Sequence, residues 1–215
     1  DEENDMAVYQ MNLKYGSIRV YIGDDGKQYV QQGDNEAQQK DDLQITTDGG
    51  RTTNTLTIEG GTTGAKVTLS NVNIDAPGAA VSVSGNVELV IADTNTLRSG
   101  TDHAGVEKAD DDGTLTIDGT GSLEAYGGES GAGIGSGSQK GCSNIAIESG
   151  PITAHGPYQG WPAPAWARIS SNRPEASVSP PATATVWRSP SRVSSRRQMK
   201  VPAMYDADIE NISRP

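Results

Sequence analysis

A repeat near the middle of the chain is the feature that most constrains its fold. The segment TLTIDGTGSLEAYGG, residues 114–128, recurs after 29 to 30 residues as NIAIESGPITAHG, residues 144–156, and TLTIEGG, residues 55–61, is an earlier echo. The copies alternate apolar with small polar residues, which is the two-residue period of β-strands. A unit this short cannot bury its apolar face alone, so we expect the copies to stack. The side chains predicted to point inward and stack are Leu115, Ile117, Leu123 and Ala125 under Ile145, Ile147, Ile152 and Ala154.

The composition fits a narrow core of aliphatic ladders. Only 33% of the 215 residues are hydrophobic, 5% are aromatic, and there is no Phe. Strand-like alternation extends over most of residues 54–156, and no segment has the pattern of an amphipathic helix. The predicted fold class is therefore all-β, built from stacked strands.

The composition also divides the chain near residue 157. Residues 1–156 hold 25 of the 26 glycines and have a net charge of −15, whereas residues 157–215 hold nine of the eleven prolines and have a net charge of +4. We predict an N-terminal hairpin and cap region over residues 1–41, with the hairpin at Ser17–Gln32, then β-strand repeats over residues 42–156. Residues 157–215 are predicted to be an irregular, disordered tail.

The coding sequence of the tail is also compatible with a glycine-rich segment in another reading frame. The segment WPAPAWA, Trp161–Ala167, can be encoded so that a reading frame starting two bases later has G at the first three free third positions. That frame then encodes Ala-Gly-Ala-Gly, followed by Met, Leu or Val and then Gly. This resembles GAGIG at Gly131–Gly135, about one repeat earlier. We therefore predict that residues 157–215 are a frame-shifted, non-native continuation of the repeats, with a Pro-rich linker as the alternative.

Several segments together resemble a known family. GTLTIDGTGSLEAYGGESGAGIGSG, TNTLTIEGG, KVTLSNVNID and HAGVEKADDDGTLTIDG are similar to bacterial carbohydrate-binding β-helix repeat proteins, over about Asp42–Gly156. The resemblance implies a right-handed parallel β-helix, a secreted or cell-surface location, and binding of a polysaccharide, in related folds sometimes with calcium.

Charge and motifs exclude several other partners. A net charge of −11 argues against binding the phosphate backbone of nucleic acids, and no apolar run approaches membrane-spanning length. The glycine-rich segment Gly131–Gly137 lacks the Gly-Lys-Ser/Thr and the following helix that a phosphate-binding loop needs, so no nucleotide is expected. We predict instead a corner between strands, in which Ala132 and Ile134 turn inward.

The candidate cofactor is calcium. Among the acidic pairs and triplets on predicted turns, Asp110, Asp111 and Asp112 lie between two repeat strands and offer the hard oxygen ligands that calcium prefers. The alternative is a solvated acidic turn.

Three functions remain open from the sequence. The first is non-catalytic polysaccharide binding by an extracellular or cell-surface protein, with Tyr126, Glu124 and Asp118 as the candidate ligand-binding residues. The second is a polysaccharide lyase or glycoside hydrolase on the same scaffold, for which the spacing of the carboxylates assigns no catalytic residue. The third is a structural or adhesin repeat. A repeat stack that ends abruptly also predicts self-association through its open end.

Overall fold

The regular secondary structure of the described residues is almost all β-strand. The computed structural model describes residues 8–108 and 112–156, so the predictions for the tail at residues 157–215, for Asp110 and for Asp111 lie outside the described residues. In chain order the strands are β1 (Tyr9–Asn12), β2 (Ile18–Ile22), β3 (Gln28–Gln32), β4 (Gln38–Gln39), β5 (Leu43–Thr46), β6 (Arg51–Thr52), β7 (Leu56–Glu59), β8 (Ala65–Ser70), β9 (Asn73–Asp75), β10 (Val81–Ser84), β11 (Val87–Ala92), β12 (Thr94–Arg98), β13 (Val106–Lys108), β14 (Leu115–Gly119), β15 (Ser122–Tyr126), β16 (Ile134–Gly135), β17 (Ile145–Ile147) and β18 (Ile152–His155). Within the described ranges, the helical structure is one 3-10 turn at Leu13–Tyr15.

The strands form three sheets that the chain visits in a fixed order. Sheet A has the order β1-β5-β8-β11-β14-β17, sheet B the order β16-β13-β10-β7-β2-β3-β4, and sheet C the order β18-β15-β12-β9-β6. From β5 onward, each strand in sheet A is followed by one in sheet C and, up to β16, one in sheet B. The pairs between successive repeats are parallel, as expected when each strand lies one repeat from its neighbour.

The predicted stacking of the last two repeats is confirmed. In sheet A, Leu115 pairs with Ile145 and Ile117 with Ile147; in sheet C, Leu123 pairs with Ile152 and Ala125 with Ala154. The inward residues of β14 and β15 are fully buried. Together with their equivalents in earlier repeats they form one continuous aliphatic core, which explains how the chain folds without Phe.

The earlier echo at residues 55–61 is not equivalent to the later copies. Leu56 begins β7 in sheet B, whereas the similar segment at Leu115 begins β14 in sheet A. The sheet A equivalents of Leu115 are Val87 and, one repeat earlier, Ala65, so the spacing in this sheet runs 22, 28 and 30 residues. An alternating pattern encodes which side chains face inward but is the same in all three sheets, so sequence similarity does not show to which sheet a segment belongs.

The N-terminal region adds antiparallel strands to the stack. β2 pairs parallel with β7 on one side and antiparallel with β3 on the other, and β4 pairs antiparallel with β3. The β2–β3 hairpin turns at Gly23–Gly26, where Gly26 adopts φ +75°. The hairpin is at the position that Ser17–Gln32 predicted.

The glycine-rich segment packs tightly between strands. Ala132 and Ile134 are buried, as predicted, and Ile134–Gly135 forms β16 against β13. A Cβ on Gly131 would lie 1.9 Å from the carbonyl oxygen of His103, and one on Gly133 would lie 2.4 Å from the backbone nitrogen of His155. The glycines are thus needed because neighbouring backbones approach closely, which is a structural role.

Candidate functional site

The three predicted ligand-binding residues lie on two different surfaces. Asp118 is on β14 in sheet A, whereas Glu124 and Tyr126 are on β15 in sheet C. The Tyr126 hydroxyl donates a hydrogen bond of 3.0 Å to the Glu124 carboxylate. The structure therefore brings Glu124 and Tyr126 together and leaves Asp118 in separate surroundings.

Tyr126 is enclosed within a stack of side chains on the outer face of sheet C. The Arg98 guanidinium carbon lies 3.8 Å from the ring centroid on one side, and the His155 ring stacks at 4.2 Å with an interplanar angle of 6° on the other. These residues occupy successive strands in register. Because both ring faces are covered, a sugar ring can stack on Tyr126 only after Arg98 or His155 moves away.

Asp118 lies in a groove of about 480 Å³ across sheet A, which we call the sheet A groove. It accepts hydrogen bonds from the Ser149 hydroxyl and, at 2.7 Å, from its neighbour's backbone N–H, and these bonds hold the pKa of the Asp118 carboxyl below its usual value. In the same groove, Lys66 and Glu88 form an ion pair of 2.7 Å, and the Glu88 carboxylate raises the pKa of Lys66. These contacts favour the ionised forms of Asp118 and Lys66.

A second groove, of about 770 Å³, runs across sheet B, and we call it the sheet B groove. Its wall is formed by Arg19 and Tyr21 of β2 and by Glu59 of β7. Arg19 donates two hydrogen bonds to Glu59, of 3.1 Å from Nε and 2.5 Å from Nη2, and its guanidinium carbon lies 4.6 Å from the Tyr21 ring centroid. The Tyr21 ring stacks against the Tyr29 ring on the neighbouring strand β3, with the ring centroids 5.7 Å apart. The wall is therefore a fixed cation–carboxylate pair beside two aromatic rings.

Glycines form the floor of the sheet B groove. Gly61, Gly85 and Gly113 have φ values of +53°, +68° and +63°, and they occupy the same corner in successive repeats. A Cβ on Gly85 would lie 2.6 Å from the backbone of Gly61, and one on Gly113 would lie 2.2 Å from that of Gly85. At Gly85 and Gly113 only glycine satisfies both requirements, so the corners of successive repeats can stack closely on one another.

One asparagine joins the two grooves. Asn86 lines both of them, and it fixes the corner between them because its amide donates to the Thr62 carbonyl at 2.9 Å and its side-chain oxygen accepts from the Thr114 N–H at 2.9 Å. The grooves therefore lie on either side of one rigid corner.

Local sequence patterns do not reveal the sheet B groove, for a physical reason. The alternation of SIRVYI places Arg19 and Tyr21 on the outer face, which the sequence does indicate. Arg19 and Glu59 are 40 residues apart, however, and no local pattern shows that β2 pairs with β7. The spacing of glycines at 61, 85 and 113 is the one signal that could have marked this corner.

Asp112 is the one member of the predicted calcium triplet that the structure describes. It lines the sheet B groove, and its carbonyl oxygen accepts a hydrogen bond of 2.8 Å from the buried ammonium of Lys108. Among the described residues there is no cluster of three or more His, Cys, Asp or Glu that could hold a metal ion. Calcium binding thus depends on Asp110 and Asp111 and stays a prediction.

A buried carboxylate was also not anticipated. Glu107 is 4% exposed, and its carboxylate lies 2.9 Å from His103 Nδ1, accepts from the Ala104 N–H at 3.1 Å, and lies 3.7 Å from Lys140 Nζ. Glu107 faces outward from β13 but is covered by the glycine-rich segment, since a Cβ on Gly137 would lie 2.9 Å from its oxygen. These contacts tie the segment to sheet B, which is a structural role.

Comparison with known proteins adds no family assignment. No protein-family model, curated protein or solved structure matches the chain. In the part of the chain that the structure describes, no helix is long and apolar enough to cross a membrane.

Proposed function

We propose that the chain is a right-handed parallel β-helix of an extracellular or cell-surface protein that binds a polysaccharide without cleaving it. The cyclic order of three parallel sheets supports the fold, since a chain that adds one strand to each sheet per repeat is a helix of strands. The sheet B groove is the proposed ligand site, and it replaces the stack around Tyr126 as the main contact surface.

The observation that carries the proposal is the combination of groups in the sheet B groove. Sugars present hydroxyl groups to hydrogen-bonding partners and C–H faces to aromatic rings. Tyr21 supplies the aromatic surface, because Arg19 and Tyr29 lie 4.6 and 5.7 Å from its ring centroid, whereas the two groups that cover Tyr126 lie closer, at 3.8 and 4.2 Å. The Arg19–Glu59 pair supplies a hydrogen-bond donor and an acceptor that already contact each other. Because these groups lose little freedom when a ligand binds, the groove is organised for recognition before binding.

The shape of the two grooves favours a polymer over a single sugar. Both grooves are open, and they meet at Asn86, so an extended chain can cross the corner from Tyr21 in the sheet B groove toward Thr116 in the sheet A groove. Neighbouring strands are about 4.8 Å apart, so side chains of successive repeats meet a linear polymer at regular intervals.

The state of the carboxylates supports binding without catalysis. A glycoside hydrolase needs a carboxylic acid whose pKa is raised so that it can protonate the leaving group. Glu59 and Glu88 are instead ion-paired, and the hydrogen bonds to Asp118 lower its pKa. Asp118 is therefore not suited to be the general acid, and Glu59 and Glu88 are each in contact with a basic side chain.

The test compares two matched tyrosines on different sheets. Tyr21 and Tyr126 are both half-buried on outer faces, and each has an arginine over its ring. Binding to an array of polysaccharides is measured with calcium and with EDTA. We expect Tyr21→Ala to weaken binding about tenfold or more and Tyr126→Ala to leave it nearly unchanged.

Other outcomes would change the proposal in defined ways. Loss of binding with Tyr126→Ala alone would move the site to sheet C, and absence of binding to every polysaccharide would reject the function. New reducing ends or unsaturated products would show an enzyme. Loss of binding in EDTA would support the predicted calcium site at Asp110–Asp112, whereas equal binding would argue against it.

A further inference from the structure

The basic side chains of the two grooves are already engaged by carboxylates of this chain. Among the described residues, one basic side chain lines each groove. Lys66, in the sheet A groove, lies 2.7 Å from the Glu88 carboxylate, and Arg19, in the sheet B groove, lies 2.5 Å from the Glu59 carboxylate. An acidic polysaccharide that paired with either cation would displace Glu88 or Glu59 and then lie beside that like charge. The grooves therefore disfavour an anionic ligand.

The sheet A groove carries more negative than positive charge. Its described lining residues hold one basic side chain, Lys66, and three carboxylates, those of Glu88, Asp118 and Glu148. Because Lys66 pairs with Glu88, the groove has two carboxylates in excess. A groove lined mainly by one sign of charge attracts ligands of the opposite sign, which here are cations.

Hydrogen bonds from uncharged groups hold the Asp118 carboxylate in position. The Ser149 hydroxyl and the Gly119 N–H both donate to the same oxygen, Oδ1. These two bonds do not engage the second oxygen, Oδ2, and they lower the pKa of the carboxyl, so that it is ionised at neutral pH. A carboxylate that is ordered before binding loses little freedom when it accepts charge-assisted hydrogen bonds from an ammonium group.

Asp118 also lies on the course of the extended ligand. The proposed function leads a polymer from Tyr21 past the corner at Asn86 toward Thr116 of β14. Asp118 follows Thr116 by two residues, so it faces the same side of the strand, about 7 Å further along it. A polymer that continues in this direction therefore reaches the Asp118 carboxylate.

We propose that the ligand of the two grooves is a polysaccharide that carries free amino groups, and that one of its ammonium groups binds at Asp118. This inference rests on the proposed function and adds the chemical class of the sugar. The ammonium group donates hydrogen bonds to the Asp118 carboxylate, while another sugar of the same chain packs against Tyr21. An N-acetylated sugar lacks this charge, and a uronic acid is repelled by it, so charge distinguishes among polymers of similar shape.

The experiment measures binding of the full chain to three oligosaccharides by isothermal titration calorimetry. The probes are oligomers of glucosamine, of N-acetylglucosamine and of a uronic acid, all of one length, at a mildly acidic pH at which the amino groups are protonated. We expect the glucosamine oligomer to bind about tenfold more tightly than the N-acetylated one, and the uronic acid oligomer to bind most weakly. Added salt should weaken binding of the glucosamine oligomer most.

Three variants locate the ammonium group. Asp118→Asn should weaken binding of the glucosamine oligomer about tenfold and that of the N-acetylated oligomer less than about twofold, which also shows that the variant is folded. Ser149→Ala leaves the carboxylate in place but less well held, so its effect should be smaller, about threefold. Asp34→Asn is the matched control, because Asp34 is exposed on the turn after β3, lines neither groove, and loses the same charge.

Other outcomes separate this inference from the proposed function. Equal weakening by Asp118→Asn and Asp34→Asn would indicate general attraction between an acidic protein and a polycation, and would overturn the inference. Tighter binding of the N-acetylated or uronic acid oligomer, with or without calcium, would overturn it as well but leave polysaccharide binding in place. Tyr21→Ala should weaken binding of both the glucosamine and the N-acetylated oligomer, so its failure to do so would reject the sheet B groove and not the site at Asp118.

Discussion

The two ends of the strand stack differ in how they cover the backbone groups of their last strands. At the N-terminal end, polar side chains satisfy backbone groups that the next repeat would otherwise satisfy. Gln28 is 6% exposed, accepts from the Lys66 N–H at 2.8 Å and donates to the Lys40 carbonyl at 2.8 Å, while Gln32 donates to the carbonyls of Asn12 and Gly16. At the C-terminal end, β17 finishes with two half-buried isoleucines and no such polar cover among the described residues.

The difference shows that a repeat protein is closed by residues that break its pattern. Within the repeats, each strand is satisfied by the next, and stability is shared between neighbours. A terminal strand loses one neighbour, so its free backbone groups need side chains, an antiparallel strand or another molecule. Gln28 and Gln32 occupy positions where the middle repeats have aliphatic or small residues, and this marks the N-terminal end as a cap.

The largest expected effect comes from removing the same side chain inside the stack and at its open edge. Ile117→Ala should lower the free energy of unfolding by about 3 kcal/mol, because Ile117 is 0% exposed and the cavity cannot collapse between two strands. Ile147→Ala, its register partner, should cost about half as much, since Ile147 already has part of its surface in water. Chemical denaturation of both variants measures the comparison.

The two variants are compared at low protein concentration, because contact of β17 with another molecule would cover Ile147. Equal losses of stability in the two monomeric variants would show that the open edge is covered by some other part of the chain.

A smaller effect is expected at the N-terminal cap. Gln28→Ala leaves the Lys66 N–H and the Lys40 carbonyl without their partner and should cost about 1–3 kcal/mol. Gln31→Ala is the matched control on the same strand, since Gln31 makes one exposed hydrogen bond to the Asn35 carbonyl, and it should change stability by less than about 0.5 kcal/mol. Thermal melts measure the stability of both variants. A Gln31→Ala variant as unstable as Gln28→Ala would contradict the capping role of Gln28.

The sequence predicts the core of this fold better than its arrangement. Alternation identified the inward residues of β14 and β15 and their stacking under β17 and β18, because a period of two encodes which face is buried. The same period does not distinguish the sheets, so the similarity of residues 55–61 to residues 114–119 does not reveal that β7 and β14 belong to different ones. The hairpin at Ser17–Gln32 was predictable because its turn is local.

The candidate site was predictable only in its parts. Glu124 and Tyr126 are two residues apart on one strand, so alternation places them on one face, and they do contact each other. Arg98 and His155 cover the Tyr126 ring from neighbouring repeats, 28 and 29 residues away in sequence. Contacts of that kind depend on the register between repeats, which varies along this chain and which no local pattern records.

The smallest expected effect is a change in the pKa of two carboxyl groups, Asp25 toward the N-terminal end of the stack and Asp118 toward the C-terminal end. Hydrogen bonds lower the pKa of Asp118, with the Ser149 hydroxyl as the largest cause, and of Asp25 in the hairpin turn, with the Lys27 N–H first and the Tyr29 hydroxyl second. A folded-state pKa below the unfolded value of about 3.9 stabilises the fold above that pH, and this stabilisation is lost as the pH falls through the folded-state pKa. Ser149→Ala should therefore raise the Asp118 pKa more than Tyr29→Phe raises that of Asp25, because only the first variant removes the largest cause. Carbon-detected NMR titration of the two carboxyl groups measures both, and a larger shift at Asp25 would show that the hairpin depends on Tyr29 more than on its own backbone.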